Sequence, residues 1–212
     1  MTVPAWSIRR PNWFDRPAGS CEHDHMSQPP APTKRLAFRE MTLGDLDDLA
    51  ALLGDPEVML YYPHPKDRDE ALGWIRWNQR LYRDEGYGLW IVILRSTGEF
   101  VGDCGLTPQE IEGTTELEVG YHVRSSLQGH GYATEAAAAC RDYSRDVLGV
   151  KRLIAIIHPD NVPSQRVAEK AGLRYERDAM SRAGTPVRIY AAGTAVTQLR
   201  HDGRHGTTGA GG

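Results

Sequence analysis

The sequence predicts an α/β (α+β) domain built on one mixed, mostly antiparallel sheet of about seven strands with about four helices. Three observations carry that expectation. The stretch Leu117–Glu135 (LEVGYHVRSSLQGHGYATE) begins with Val119, Tyr121 and Val123 at alternate positions, as in a strand. It then gives way to a helical spacing through Ala136, Ala139, Cys140, Tyr143 and Val147. Leu153-Ile-Ala-Ile-Ile157 is apolar throughout, as suits a strand covered on both faces. Strand, helix and strand in that order form a parallel, right-handed crossover. Short turns such as Ser96-Thr-Gly98 join other strands as hairpins.

Residues 1–33 read as a disordered tail, with four prolines between Pro17 and Pro32 and no apolar period. Trp6, Trp13 and Phe14 are unusual in such a tail, and a translation start at Met26 would account for them. Cys21-Glu-His-Asp-His25 holds metal-ligating residue types, yet no second ligand pair follows and binding would have to order a flexible segment. No metal is expected.

The domain is expected over 34–192. Leu36–Met41 is its first strand; Thr42-Leu-Gly-Asp45 has the form of a capping box, and Leu46, Leu49, Ala50 and Leu53 make a helical stripe ended by Gly54. An aromatic, proline-stiffened link, Met59-Leu-Tyr-Tyr-Pro-His-Pro65, leads to a second helix over Asp67–Asp84 with Ala71, Trp74, Ile75, Leu81 and Tyr82 on one side. Strands follow at Leu89–Leu94, Glu99–Leu106 and, after Glu112-Gly-Thr114, through Glu118 to Val123. The helix opening at Tyr132 stops at Gly149, and Leu153–Ile157 returns to the sheet. Asn161 can cap the next helix, Pro163 fits its first turn and Gly172 ends it. Leu173–Arg177 and Pro186–Ala191 are the last strands, and 193–212 is a Gly/Thr-rich tail.

At 212 residues the chain suits one domain plus tails. A hydrophobic share of 40% and a charged share of 25% are those of an ordinary globular protein. The net charge of −3 gives no general attraction to nucleic acid or anionic membrane. Cys21, Cys104 and Cys140 are odd in number and scattered, so reduced thiols in a cytoplasm are expected. No apolar run reaches the length of a membrane span, and no signal-peptide core is present.

Between strand and helix lies Gln128-Gly-His-Gly-Tyr-Ala133. Gly129 and Gly131 allow a sharp turn that leaves backbone N–H groups uncovered where a helix N-terminus adds partial positive charge, a place for a phosphate or pyrophosphate. A P-loop would need a Gly-Lys-Ser/Thr ending, which is absent. A dinucleotide fingerprint would need a third glycine, where Thr134 stands, and a strand running straight into the first, where Arg124 to Leu127 intervene.

Gln128–Ala133 matches the Gln/Arg-x-x-Gly-x-Gly/Ala signature of the GNAT superfamily of acetyl-CoA-dependent N-acyltransferases. Glu118-Val-Gly-Tyr followed by Gly129-His-Gly-Tyr-Ala-Thr-Glu-Ala136 resembles its ribosomal-protein N-terminal acetyltransferase branch. Asn161-Val-Pro-Ser-Gln-Arg-Val-Ala-Glu-Lys-Ala-Gly-Leu173 resembles that branch's Asn-x-x-Ser…Glu-Lys-x-Gly-Phe segment, and the likeness runs from about Arg35 to Ala192. The resemblance implies a GNAT fold whose parallel strand pair splays apart, acetyl-CoA as co-substrate, and direct attack by a primary amine in a ternary complex.

It further implies roles for single residues. The pantetheine arm would lie beside the Glu118–Val123 strand and bond the Val123 backbone as an added strand does. The pyrophosphate would rest on the amides of Gly129, Gly131, Tyr132 and Ala133, with Gln128, His130 and Thr134 at the rim and Asn161 on the pantetheine. Glu118 would be the general base, with Glu116 on the same strand face as the alternative, Ser164 the proton donor or ligand for the thiolate, and Tyr61, Tyr62, His64 and Glu116 would face the acceptor. Plainer readings stand beside these: a solvated strand edge for the glutamates, a helix cap for Asn161, a first-turn backbone bond for Ser164, and packing for the tyrosines. Where relatives place a tyrosine acid in the last helix, this chain has Val167 and Ala168.

An α-amine with a pKa near 8 is about a tenth deprotonated at pH 7, and a lysine near 10.4 far less, so the acceptor sets how strong a base is needed. The expected partners are acetyl-CoA and an amine, either a protein N-terminus or a small molecule; a homodimer is left open, and nucleic acid and membrane are not expected. Two alternatives are a CoA-binding sensor or subunit without turnover, and a nicotinamide-dependent enzyme.

Overall fold

The computed structural model describes residues 28–181 and 183–193, so the expectations for Trp6, Trp13, Cys21–His25, Met26 and the C-terminal tail beyond 193 lie outside the described residues. Seven strands form one sheet, with four α-helices against it. In chain order these are β1 (Leu36–Arg39), α1 (Leu46–Leu53), α2 (Arg68–Glu85), β2 (Leu89–Leu94), β3 (Phe100–Ile111), β4 (Thr114–Val123), α3 (Tyr132–Asp146), β5 (Arg152–Ile157), α4 (Val162–Lys170), β6 (Arg174–Met180) and β7 (Pro186–Gly193). The sheet order is β1-β2-β3-β4-β5-β7-β6, antiparallel throughout except for β4 beside β5.

Local chemistry sets the element ends. Asp67 and Glu70 form a reciprocal capping box at the start of α2: the Glu70 N–H donates to Asp67 Oδ1 at 2.8 Å and the Asp67 N–H to Glu70 Oε2 at 2.9 Å. Ahead of α1, around a single 3-10 turn, the Thr42 N–H and hydroxyl both donate to Asp45 Oδ2, at 2.7 and 2.9 Å. Residues 28–33, read from the sequence as tail, are described, with Pro30 buried and the Thr33 hydroxyl donating to Glu135 at 2.6 Å.

β3 runs five residues beyond the expected Leu106, through polar Thr107, Gln109 and Glu110 and through Pro108. Its pairing with β2 ends at Leu89 opposite Gly105. Beyond that point no strand among the described residues pairs with that edge of β3, and a proline is tolerated where no ladder bond needs its N–H. The turn to β4 is two residues, Glu112 at φ 50° and Gly113 at φ 79°, the paired positive values of a type I′ hairpin. That turn fixes the register of the longest ladder, so Thr107 stands opposite Glu118 and Asp103 opposite His122.

The main core fills the space between sheet and helices. Trp90, Ile91, Leu106, Ile75, Leu49, Leu36 and Cys140 are all buried there. Trp90 stacks near Tyr82 and meets the edge of Tyr143 at 5.3 Å. Cys104 and Cys140 are free thiols with their sulfurs 3.6 Å apart in this core. A smaller apolar cluster of Ile111, Ile154, Ala179, Val187 and Ile189 holds β5, β6 and β7 together.

Candidate active site

The site begins at the β4–β5 junction. These strands share the register pair Glu118–Ile154, whereas the neighbouring ladder runs from Gly102–Val123 to Ile111–Thr114. Past Glu118 the two parallel strands therefore part, and backbone groups on the facing edges need other partners. The Ile156 N–H finds one in the Glu118 side chain, donating to Oε1 at 3.3 Å. The Thr107 hydroxyl donates to Oε2, also at 3.3 Å.

Glu118 is half-buried, and withdrawal of its carboxyl from water pushes it up to about 7 against the smaller opposing pull of the Ile156 and Thr107 bonds. A carboxyl poised near neutral pH is what a general base for an amine requires. Glu116 lies two residues earlier on the same face. There it is engaged by Arg152, whose Nε donates to Glu116 Oε2 at 2.5 Å while Nη1 donates to Glu176 at 2.8 Å. Glu116 is thus the glutamate of the pair that serves a structural cross-strand network.

On the opposite face of β4, Tyr121 reaches toward α4. Its hydroxyl donates to the Ser164 carbonyl at 2.9 Å, which leaves it to accept the Ser164 hydroxyl proton at 3.0 Å. Burial raises the Tyr121 phenol well above its ordinary range, so it stays protonated. Asn161 caps α4 by accepting the Ser164 N–H at 3.1 Å. The last helix of this chain lacks a tyrosine at Val167 or Ala168, and Tyr121 brings a phenol to Ser164 from the strand instead.

The glycine loop has the geometry that the sequence suggests. Gly129 and Gly131 sit at φ 79° and 81°, in the left-handed region that favours glycine. Gly131 is the N-cap of α3 and supplies no side chain, so the first-turn N–H groups of Tyr132, Ala133 and Thr134 have no intrahelical partner. The His130 Nδ1–H donates to the Gln128 carbonyl at 2.9 Å, and its ring stacks on Tyr132. Gln128 Nε2 donates to the Val123 carbonyl at 3.2 Å, placing an exposed side chain on the strand end expected to meet pantetheine. A clamp that the sequence does not reveal holds this loop. Arg35 donates from Nη1 to the His130 carbonyl at 2.9 Å and from Nε to Glu135 at 2.6 Å, and its guanidinium lies 4.6 Å from the Tyr132 ring centre.

Adjacent tyrosines tie the Met59–Pro65 link to both walls of the cleft. The Tyr61 hydroxyl donates to the Asp160 carbonyl at 3.1 Å and its ring stacks on His158, just after β5. The Tyr62 hydroxyl reaches His122 Nε2 on β4 at 2.9 Å. His64 instead bonds Glu70 at the start of α2. His122 and Asp103 were not singled out by sequence, and Trp74 only as part of the apolar side of the second helix. Period-two spacing from Glu118 would have put His122 on the same face, and the Glu112–Gly113 turn would have put Asp103 opposite it.

Among the described residues no cluster of His, Cys, Asp or Glu could hold a metal ion, and no helix is long and apolar enough to cross a membrane. What the site offers is a pair of parting parallel strands, backbone N–H groups uncapped at the α3 N-terminus and a carboxyl raised to about 7 where the strands part.

Residues 35–174 match the acetyltransferase (GNAT) domain family. The chain belongs to this family and is an acetyl-CoA-dependent acyltransferase. It is similar to the Bacillus subtilis (strain 168) protein YkkB, at 41% identity over 159 residues covering 74% of this chain and 92% of that protein. In fold it is similar to an acetyltransferase from Agrobacterium tumefaciens, with a TM-score of 0.70 at 24% identity, covering 82% of this chain and all (100%) of that one. It is likewise similar to RimL, a ribosomal α-N-protein acetyltransferase solved in complex with coenzyme A, with a TM-score of 0.63 at 19% identity over 77% of this chain and 96% of that one. Structural neighbours thus include the ribosomal-protein branch that the motifs resemble.

Proposed function

We propose that this protein moves an acetyl group from acetyl-CoA to a primary amine, by direct attack within a ternary complex, with Glu118 as the general base. The observation that carries the reading is the placement of a half-buried carboxyl, raised to about 7, where β4 leaves β5. The pyrophosphate of acetyl-CoA would rest on the N–H groups of Gly131 to Thr134, with Gly129 shaping the loop and Gln128 and His130 at its rim. The pantetheine would follow β4 past Val123, displacing the Gln128 side chain from its carbonyl, and pass Asn161. Ser164, bonded to Tyr121, stands on the face where the departing thiolate would emerge. Tyr61 and Tyr62 border the acceptor side, and Glu118 takes a proton from the acceptor's ammonium, freeing the nitrogen to attack the thioester carbonyl.

The test is a panel of primary amines, from N-terminal peptides to polyamines and aminoglycosides, followed by release of free CoA. Turnover with at least one amine, lowered about 10²–10⁴-fold at neutral pH by Glu118→Gln, is expected. Tight acetyl-CoA binding with no turnover on any amine would instead make the protein a CoA-binding subunit.

A further inference from the structure

Beside Glu118 lies a second set of polar groups that the transfer chemistry above leaves unused. Asp103 is buried and accepts from Trp74 Nε1 at 3.0 Å on one oxygen; its other oxygen lies 2.7 Å from His122 Nδ1. An ionised carboxylate can only accept, so Nδ1 carries the proton and Nε2 is left with its lone pair. The Tyr62 hydroxyl, 2.9 Å from Nε2, therefore donates to it. The imidazole is fixed between the Tyr62 ring at 5.3 Å and the edge of Trp74 at 6.2 Å. The chain has a direction, Tyr62 to His122 to Asp103, and opens to the outside at Tyr62, the member that remains 45% exposed.

Its position matches a need of the reaction. Glu118 and His122 share one face of β4 with Gly120 between them, and a Cβ at Gly120 would meet nothing nearer than Leu89 Cδ2 at 3.6 Å. The Leu89 side chain lies over the strand between the two groups at van der Waals distance. An ammonium that ends as an amide loses two protons from nitrogen, one before attack and one from the tetrahedral intermediate. A single carboxyl near neutrality accepts one of them. A buried Asp–His pair is also a poor choice for stability alone, since well-packed apolar residues commonly do as well.

We propose that Tyr62, His122 and Asp103 form a hydrogen-bonded relay that accepts the second proton of the acceptor nitrogen, while Glu118 accepts the first. This inference rests on the acetyl transfer proposed above. The nitrogen of the tetrahedral intermediate passes its proton to the Tyr62 oxygen as Tyr62 passes its own to His122 Nε2. The imidazolium so formed is stabilised by the Asp103 carboxylate. The C–S bond then breaks, the sulfur leaves with the electron pair toward the Ser164 hydroxyl and gains a proton by way of that hydroxyl from solvent, and Glu118 and His122 return theirs to solvent. Although the residue as a whole is partly exposed, withdrawal of its hydroxyl from water and the nearby Glu118 and Asp103 charges hold the Tyr62 phenol far above its ordinary range, so it conducts a proton without resting as phenolate. Tyr62 is the member that would touch the reacting nitrogen; His122 and Asp103 position and charge it.

Tyr62→Phe removes the entry to the relay and keeps the ring, on a residue exposed enough for the fold to tolerate it. The decisive experiment compares wild type and Tyr62→Phe with an amine that the wild type acetylates, alongside acetyl-CoA titration and nitrogen NMR of the His122 ring. The expected result is a fall in kcat of about 10- to 100-fold, the low end of acid–base effects. KM for the amine and Kd for acetyl-CoA should stay within about twofold, and the resting enzyme should show a protonated Nδ1 and a bare Nε2. An unchanged kcat with a raised amine KM would make Tyr62 a wall of the pocket and overturn the relay. So would a proton found on Nε2 in the resting enzyme, whatever the turnover. If the wild type acetylates no amine, the transfer reading itself has failed, and the relay falls with it.

Discussion

The side chain of Glu118 accepts the backbone N–H of Ile156 across the gap between β4 and β5. This one bond links fold to chemistry. Parallel strands that part leave unpaired donors on their facing edges, and a buried unpaired N–H costs about 1–3 kcal/mol. Glu118 satisfies such a donor at the place where the slot opens, and is held out of water in the process. The desolvation that raises its carboxyl to about 7, as the proposed role of base requires, follows from its duty as a strand-edge partner.

Glu118→Gln is expected to lower kcat by about 10²–10⁴-fold while leaving acetyl-CoA affinity nearly intact. Wild-type kcat/KM should rise with pH through about 7 as the carboxyl ionises, and the mutant should lack that limb. Much of the mutant's loss should return at high pH, where the amine deprotonates unaided. Glu116→Gln, which cuts a bond to Arg152, should leave the pH profile unchanged and lower the melting temperature instead. A pH limb near 7 that persists in Glu118→Gln would assign the base elsewhere.

The same substitution should stabilise the protein at alkaline pH. Glu118 has a folded pKa of about 7 against an unfolded value near 4.5. Between those values the folded state holds a proton that the unfolded state has lost, so stability falls as pH rises through that window. Thermal melts should show Glu118→Gln above wild type by a few degrees at pH 8 and equal to it near pH 4. A mutant less stable than wild type at pH 8 would mean that the Ile156 and Thr107 bonds outweigh the desolvation.

Ser164→Ala is expected to cost about tenfold in kcat or less. A thiol with a pKa near 8.5 leaves as thiolate with little help, so its acid is worth less than the amine's base. Tyr121→Phe should match it, because the phenol and the Ser164 hydroxyl act as one bonded pair. Steady-state rates of both single mutants and the double mutant check this; fully additive losses would mean that the two hydroxyls act separately.

The seven strands, four helices and single parallel pair were legible because each has a local cause: alternation, an apolar run, a cap, a glycine stop. The left-handed turns of the glycine loop and the place of Glu118 on its strand were legible because they sit in one continuous stretch. What escaped was everything set by register or by distant chain. β3 beyond Leu106 is polar and holds Pro108, so it lacks the apolar signal of a strand, and only its pairing with β4 makes it one. Asp103 meets His122 from across a hairpin, and Arg35 meets His130 and Glu135 from near the opposite end of the domain. Such contacts leave no periodic trace.

Arg35→Ala should weaken acetyl-CoA binding about 5- to 10-fold, with little change in kcat at saturating acetyl-CoA. Arg35 Nη1 fixes the His130 carbonyl between the two glycines, and its N–H and Nε both donate to Glu135 in the first turn of α3. Burial alone would push the Glu135 carboxyl up, but Thr33 and Arg35 bring it below the usual carboxylate range. Because Arg35 is partly exposed, its ion pair is worth only about 1 kcal/mol, and that sets the size of the effect. Calorimetric titration decides it: an unchanged Kd would mean that the glycines hold the loop without the clamp.

Gly131→Glu and Gly131→Ala together separate the two things that Gly131 does. At φ 81° any side chain is strained by about 1–2 kcal/mol, and a Cβ there would lie 3.5 Å from Arg35 Nη2. Alanine adds that strain and no charge. Glutamate adds the same strain and a carboxylate at the mouth of the helix, where it would occupy the place of a phosphate and repel it. Gly131→Ala should therefore bind acetyl-CoA roughly 10-fold more weakly, and Gly131→Glu should lose measurable binding. Both should melt within a few degrees of wild type, because the loop is exposed and apart from the core. Raising the salt concentration should recover part of the glutamate defect and none of the alanine defect, since only the first is electrostatic. Equal Kd values for the two mutants would leave strain as the whole effect and remove the phosphate from this loop. An affinity for acetyl-CoA unchanged in both would place the pyrophosphate elsewhere on the protein.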